Sequence, residues 1–282
     1  MKNQIKTILL LGLLSVGLIA LGSLFGRATM WLFALMAFAL NIGSYFFSHK
    51  IVLAMNRARE VSREQAPGLH AIVDELAQGA GIPKPRVYVI DDPHANAFAT
   101  GRNPKNGVVA VTTGILGLLD ERELRGVLAH ELAHVRNRDV LVATVAASIA
   151  TAITYLAHMG MFFGGGSRDE DGEGANPITM LIMALLAPIA AMFVQLAISR
   201  SREFHADETG ARLSGDPAAL ASALRKLHSR AERVPGHVAP ATASLFIVNP
   251  FSSRGLTQLM STHPDPQERI ERLLAMAGAR SV

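Results

Sequence analysis

The sequence predicts a mainly α-helical membrane protein: four apolar helices, with a compact α+β domain built round a small β-sheet on one side of the bilayer. Three observations carry this expectation. Residues 7–25, 30–47, 140–163 and 177–198 contain no Asp, Glu, Lys or Arg. Of the 27 Lys and Arg, all but Arg27 and Arg168 lie at the N-terminus or in the segments 48–139 and 199–282. Between the second and third runs, two stretches of alternating apolar residues are flanked by helical spacing. Composition agrees, since 50% of the 282 residues are apolar and only 18% charged, against roughly a quarter charged in soluble domains. A fully soluble protein is thereby excluded. The absence of cysteine excludes disulfides, a thiolate metal site and a thiol nucleophile. The net charge of +4 and pI of 9.7 come from scattered arginines without interleaved aromatics, so no nucleic-acid partner is expected.

Each apolar run is long enough to cross a hydrocarbon core about 30 Å thick. Gly26 and Arg27 begin a tight turn between the first two runs. Lys2 and Lys6 ahead of the first run also fit a secretory signal, with Ala20-Leu21-Gly22 as a cleavage site; the orientation is the same either way. Pro188 falls inside the fourth run, where a kink is tolerated. By the positive-inside rule the N-terminus and both large polar segments are cytoplasmic. The glycine-rich, acidic stretch 164–176 is then an outer connector. The chain divides into a membrane hairpin (1–48), a polar region with the sheet (49–139), a second membrane hairpin (140–198) and a helical polar region (199–282). Small residues at Gly22, Gly26, Ala143, Ala146, Ala147 and Ala150 suit close helix packing in lipid.

Lys50, Arg57, Arg59 and Arg63 follow the second run and suit lipid headgroups, at about 1 kcal/mol per charge. Leu69, Ile72, Val73 and Leu76 have helical spacing over 67–80, and Gly81 to Pro85 stop that helix. Residues 86–91 and 108–113 read as strands. The segment 103–107 signals a turn, and residues 96–100 could be the other arm of its hairpin. Over 120–138 the pattern is helical again, with Asp120 as N-cap, Glu121 and Glu123 in the first turn, and Arg136 and Arg138 at the end.

That last helix carries His130-Glu131-Leu132-Ala133-His134, an H-E-x-x-H pattern. Spacing of four places both imidazoles on one face a turn apart, where they can share a Zn²⁺ at about 2.0–2.1 Å. Glu131, rotated about 100°, can serve as general base toward a water activated by the metal. A catalytic zinc needs a third protein ligand and an open position. The third run begins just after His134 and the fourth ends just before Glu203. An antiparallel pair of helices would therefore return Glu203 to the membrane face where His134 lies, each within about 10 Å of it. Asp207, one turn beyond Glu203, is placed to accept a hydrogen bond from a ligating imidazole. His205 or Asp207 could replace Glu203 as ligand, since zinc accepts nitrogen and oxygen alike.

Together, the His130–His134 motif before one apolar run, Glu203-Phe204-His205-Ala206-Asp207 after the next, Asn96-Ala97-Phe98-Ala99-Thr100-Gly101 ahead of the 108–113 strand, and His263-Pro264 with Arg269-Ile270 resemble the HtpX-type membrane metalloproteases, relatives of the CAAX prenyl proteases. The resemblance covers nearly the whole chain. It implies a zincin-like (gluzincin) protease domain and a zinc endopeptidase of the bacterial cytoplasmic membrane that degrades damaged or misfolded membrane proteins. It also implies Glu203 as third ligand, and Asn96, Ala97, Phe98 and Ala99 as an edge strand for extended substrate. Edge pairing reads main chain and so tolerates many sequences. His263 and Arg269 have two readings: stabilisation of a developing oxyanion, or a loop closing on Pro266 at the first turn of a helix over 267–277.

Two other functions fit part of the sequence. A membrane scaffold or sensor with a structural zinc requires a fourth protein ligand and no use of Glu131. Intramembrane proteolysis would bury the motif in lipid, but Glu121, Glu123, Arg125, Arg136 and Arg138 flank it, at a cost of at least about 2.5 kcal/mol per charge.

Overall fold

The computed structural model describes residues 2–23, 26–146, 149, 200–231, 245–247 and 264–279. The glycine-rich stretch 164–176, the fourth apolar run, most of the third and His263 lie outside the described residues.

Helices α1 (Lys2–Ser23) and α2 (Arg27–Met55) form an antiparallel hairpin turned at Gly26, whose φ of 107° suits glycine. They touch closely at Gly22, where a Cβ would lie 2.8 Å from Phe33 Cβ. Farther along, Asn41 Nδ2 donates to Ser15 Oγ at 2.8 Å, an interhelical bond of the kind that joins helices in lipid. Leu9, Val16, Trp31, Leu35 and Phe38 point outward, exposed. Among the described residues one helix, α2, is long and apolar enough to cross a membrane; the apolar part of α1, Thr7–Ala20, is shorter. Of the four spanning helices expected, the described residues thus supply one that meets the criterion in full. At about 1.5 Å per residue, α2 is also longer than a hydrocarbon core. Its C-terminal turns enter the polar domain, where Val52 and Leu53 pack with Ile90, Phe98, Val108, Ala110 and Phe246. Arg102 lies over the Phe46 ring at 5.2 Å and Lys50 over Phe47 at 5.7 Å.

The domain holds a four-stranded sheet of order β1-β2-β4-β3: β1 (Arg59–Glu60), β2 (Arg86–Ile90), β3 (Ala97–Thr100) and β4 (Val108–Thr112). β2 and β4 run parallel, Val87 opposite Val109, while β1 and β3 are antiparallel to their neighbours. α3 (Pro67–Ala80) starts on Pro67 and stops at Gly81 in the left-handed region. After β4 comes α4 (Thr113–Leu118), capped by the Thr112 hydroxyl. The 108–113 stretch therefore ends as strand one residue early, because Thr112 turns to cap. α5 (Glu121–Asn137) has the Asp120–Glu123 capping box, and Glu123 is further held by Ser222 and Lys226, each at 2.7 Å. α6 (Arg200–Ser214) and α7 (Pro217–Ala231) close over α5, and α8 (Pro266–Gly278) packs on α7 and α6. Their contact faces meet α3 and the sheet in one core that includes Leu76, Val109, Val111, Leu128, Leu132, Leu224 and Ile270. Each such fully buried aliphatic side chain contributes roughly 1.5–3 kcal/mol. The site is carried on this rigid base.

Candidate active site

Four-residue spacing on α5 sets the His130 and His134 rings nearly perpendicular, their centroids 4.7 Å apart. Their Nε2 atoms face each other at 3.2 Å. Glu203, from α6, brings Oε1 to 3.6 Å from His134 Nε2 and Oε2 to 3.8 Å from His130 Nε2. One donor atom from each residue lies within 4.8 Å of the others. Tetrahedral zinc with bonds of about 2.0–2.1 Å holds its donors roughly 3.3–3.4 Å apart, close to the 3.2 Å between the two imidazole nitrogens, and a Glu203 oxygen within 4.8 Å of both would draw in to complete the set. Residues 130 and 203 are neighbours because Glu203, Asp207 and Gly210 share one stripe of α6, at spacings of four and three. A Cβ on Gly210 would sit 2.7 Å from His130 N. Only glycine lets α6 approach the backbone of α5 so closely. Gly210→Ala is expected to cost about 1–3 kcal/mol by overpacking and to weaken metal binding by moving Glu203 away. Thermal melting and metal titration measure both, and an unchanged variant would contradict this packing.

Each imidazole has a carboxylate behind it. Asp207 Oδ1 stands 2.9 Å from His130 Nδ1, and Asp139 Oδ2 stands 3.3 Å from His134 Nδ1. Arg269 backs the first pair: its Nε and Nη2 donate to Asp207 Oδ2 and Oδ1 at 2.8 and 2.7 Å, and its Nη1 donates to the Ile247 carbonyl at 3.4 Å. This corrects the oxyanion reading of Arg269, whose guanidinium is committed to Asp207 and the main chain. The helix expected to open on Pro266 does so, from an Asp265 N-cap, and Arg269 in its first turns is buried. His205 is exposed.

Burial lowers His130, only partly offset by Asp207. Burial also acts to lower His134, but the Asp139 hydrogen bond and the charges of Glu203 and Glu131 outweigh it and push His134 up to about 9. Glu131, 3% exposed, is raised by burial to about 8; the Glu203 charge adds to this, while His134 and the Ala99 amide oppose it. A carboxyl group so raised is matched to proton transfer near neutral pH.

β3 is the edge of the sheet nearest the motif, yet it is partly covered. Ile247 N donates to the Ala97 carbonyl at 3.1 Å, and Asn96 Oδ1 accepts from Ala97 N at 3.0 Å. Phe98 is buried against Phe246, ring centroids 5.0 Å apart. Part of the edge strand expected to receive extended substrate over Asn96, Ala97, Phe98 and Ala99 is thus taken. Residues 245–247 occupy it at Ala97, while Ala99 keeps its place beside Glu131. No periodicity around residue 247 signals this pairing. Asp139 likewise escapes a reading of the sequence: it follows the motif without helical spacing to it, and only the bend at Arg138, φ 59°, brings it to His134.

Residues 63–277 match peptidase family M48. The chain belongs to that family. This M48 chain is 52% identical over 281 residues to a protease HtpX homolog of Ralstonia pickettii, covering 98% of each chain. It is 53% identical to one of Ralstonia nicotianae and 52% identical to one of Burkholderia thailandensis, with the same coverage. The crystal structure of S. mikatae Ste24p resembles it with a TM-score of 0.52 at 20% identity, covering 96% of this chain and 65% of that one. This chain thus spans a little under two thirds of that neighbour, and the likeness is one of fold. With the His–His–Glu cluster beside a buried glutamate, the M48 chain is a metalloprotease. A scaffold without proteolytic activity has no support in these relatives.

Proposed function

We propose that this M48 peptidase is a zinc-dependent endopeptidase anchored in the bacterial cytoplasmic membrane, which hydrolyses damaged or misfolded membrane proteins at its cytoplasmic face. The observation that carries it is the convergence of His130, His134 and Glu203 with Glu131 buried at their side. When bound, zinc supplies Lewis acidity to water and carbonyl. Glu131 takes the proton from the attacking water and delivers it to the departing amide nitrogen. The main chain at Ala99 holds an extended peptide by strand pairing, and Asp207 and Asp139 keep the two imidazoles aimed.

Support for the membrane setting comes from the α1–α2 hairpin with its exposed apolar face and from the sided distribution of Lys and Arg. Residues 140–163 and 177–198 form the second hairpin in this reading. The motif helix α5 packs in the polar domain, so cuts fall in polar or unfolded substrate segments. The test is to purify the full chain in detergent without metal, then add zinc in the presence of a partly unfolded membrane protein. Cleavage should depend on zinc, at sites outside the substrate's apolar spans. Stoichiometric zinc binding without cleavage, or cuts deep within a span, would contradict the proposal.

A further inference from the structure

We infer that Asp139 is the positioning residue of His134, carried not by the motif helix but by the helix that follows it. The inference rests on the zinc-protease reading. His134 presents Nε2 to His130 Nε2 at 3.2 Å and to Glu203 Oε1 at 3.6 Å, so its Nδ1 faces the opposite way, onto Asp139 Oδ2 at 3.3 Å. A carboxylate there fixes the tautomer and the tilt of a ligating ring. Were α5 continuous, residue 139 would lie about 140° round the helix from His134. Arg138, at φ 59°, breaks α5 and lets Asp139, itself 7% exposed, swing back under the ring.

Residues 139–146 then form a new helix that is fixed on two further sides. Thr144 Oγ1 hydrogen-bonds with Thr100 Oγ1 of β3 at 3.1 Å. Leu141, Val142 and Val145 pack with Leu14, Leu18 and Ala37 of the α1–α2 hairpin. One rod thus touches a metal ligand, the substrate edge and the membrane hairpin. His130 is treated differently, because its carboxylate, Asp207, is braced from α8 by Arg269.

The test uses the full chain in detergent with Asp139→Ala and Asp139→Asn. Zinc affinity is measured by competition with a chelator, and the ligand field by the absorption of the cobalt-substituted protein. Asp139→Ala should weaken zinc binding 10–100-fold, the range of such outer-shell losses, and alter the cobalt spectrum. Asp139→Asn, which keeps an acceptor oxygen and the size of the side chain, should restore most of the affinity. Wild-type affinity and spectrum in Asp139→Ala would overturn the assignment, as would an Asp139→Asn variant as weak as Asp139→Ala. If the wild type itself takes up zinc and does not cleave, the proposed function fails instead, independently of Asp139.

Discussion

Glu131→Gln is expected to abolish peptide hydrolysis while leaving zinc uptake intact. Glutamine keeps the size of the side chain and its place against the Ala99 amide but cannot accept a proton. General acid–base catalysis contributes about 10²–10⁴-fold, so kcat should fall by at least that range. Zinc affinity should stay near wild type, because the donors at residues 130, 134 and 203 are untouched. A melting curve and a zinc titration alongside the cleavage assay separate loss of chemistry from loss of structure. Wild-type turnover in Glu131→Gln would remove Glu131 from the reaction.

The second large effect is on stability. Arg269→Leu leaves the Asp207 carboxylate, 4% exposed, without its bidentate partner. Removing one member of a buried ion pair costs about 3–5 kcal/mol, which is a large share of the roughly 5–15 kcal/mol that holds a domain folded. The pH dependence follows from the direction of the shift. Burial alone would raise Asp207, but the Arg269 charge and hydrogen bonds keep it below the ordinary carboxylate value. In the native protein its contribution to stability is therefore present at neutral pH and lost only as pH falls through that lowered pKa. Without Arg269 the carboxyl group rises and becomes protonated on mild acidification, so the deficit of the variant should shrink between neutral and mildly acidic pH. Chemical denaturation at two pH values measures this; a deficit under about 1 kcal/mol at neutral pH, the scale of an exposed ion pair, would contradict the burial argument.

The parts of the fold that are legible in the sequence are those written in local patterns. α3 begins on Pro67 and ends on Gly81, and α5 begins on the Asp120–Glu123 box, because capping groups are neighbours of the ends they satisfy. The strand pair at 97–100 and 108–112 is visible as alternation around a turn. Spacing alone pairs His130 with His134. Glu203 requires the tertiary fold, since the packing of α6 on α5 brings it beside His134 across 69 positions of sequence. What cannot be read depends on contacts with no local trace. The approach of α6 to α5 hangs on Gly210, one glycine among 24. Arg269 reaches Asp207 through the placement of α8, and Ile247 covers Ala97 through tertiary packing. Asp139 falls out of helical phase with His134 until Arg138 turns the chain.

The most direct measurement is X-ray absorption at the zinc edge of the metal-loaded full chain, with Glu203→Ala as comparison. Two imidazole nitrogens at about 2.0–2.1 Å, one carboxylate oxygen and one exchangeable water are predicted, with the carboxylate oxygen lost from the shell in Glu203→Ala. Four protein ligands and no water, or a shell unchanged by Glu203→Ala, would contradict an open catalytic site built from His130, His134 and Glu203.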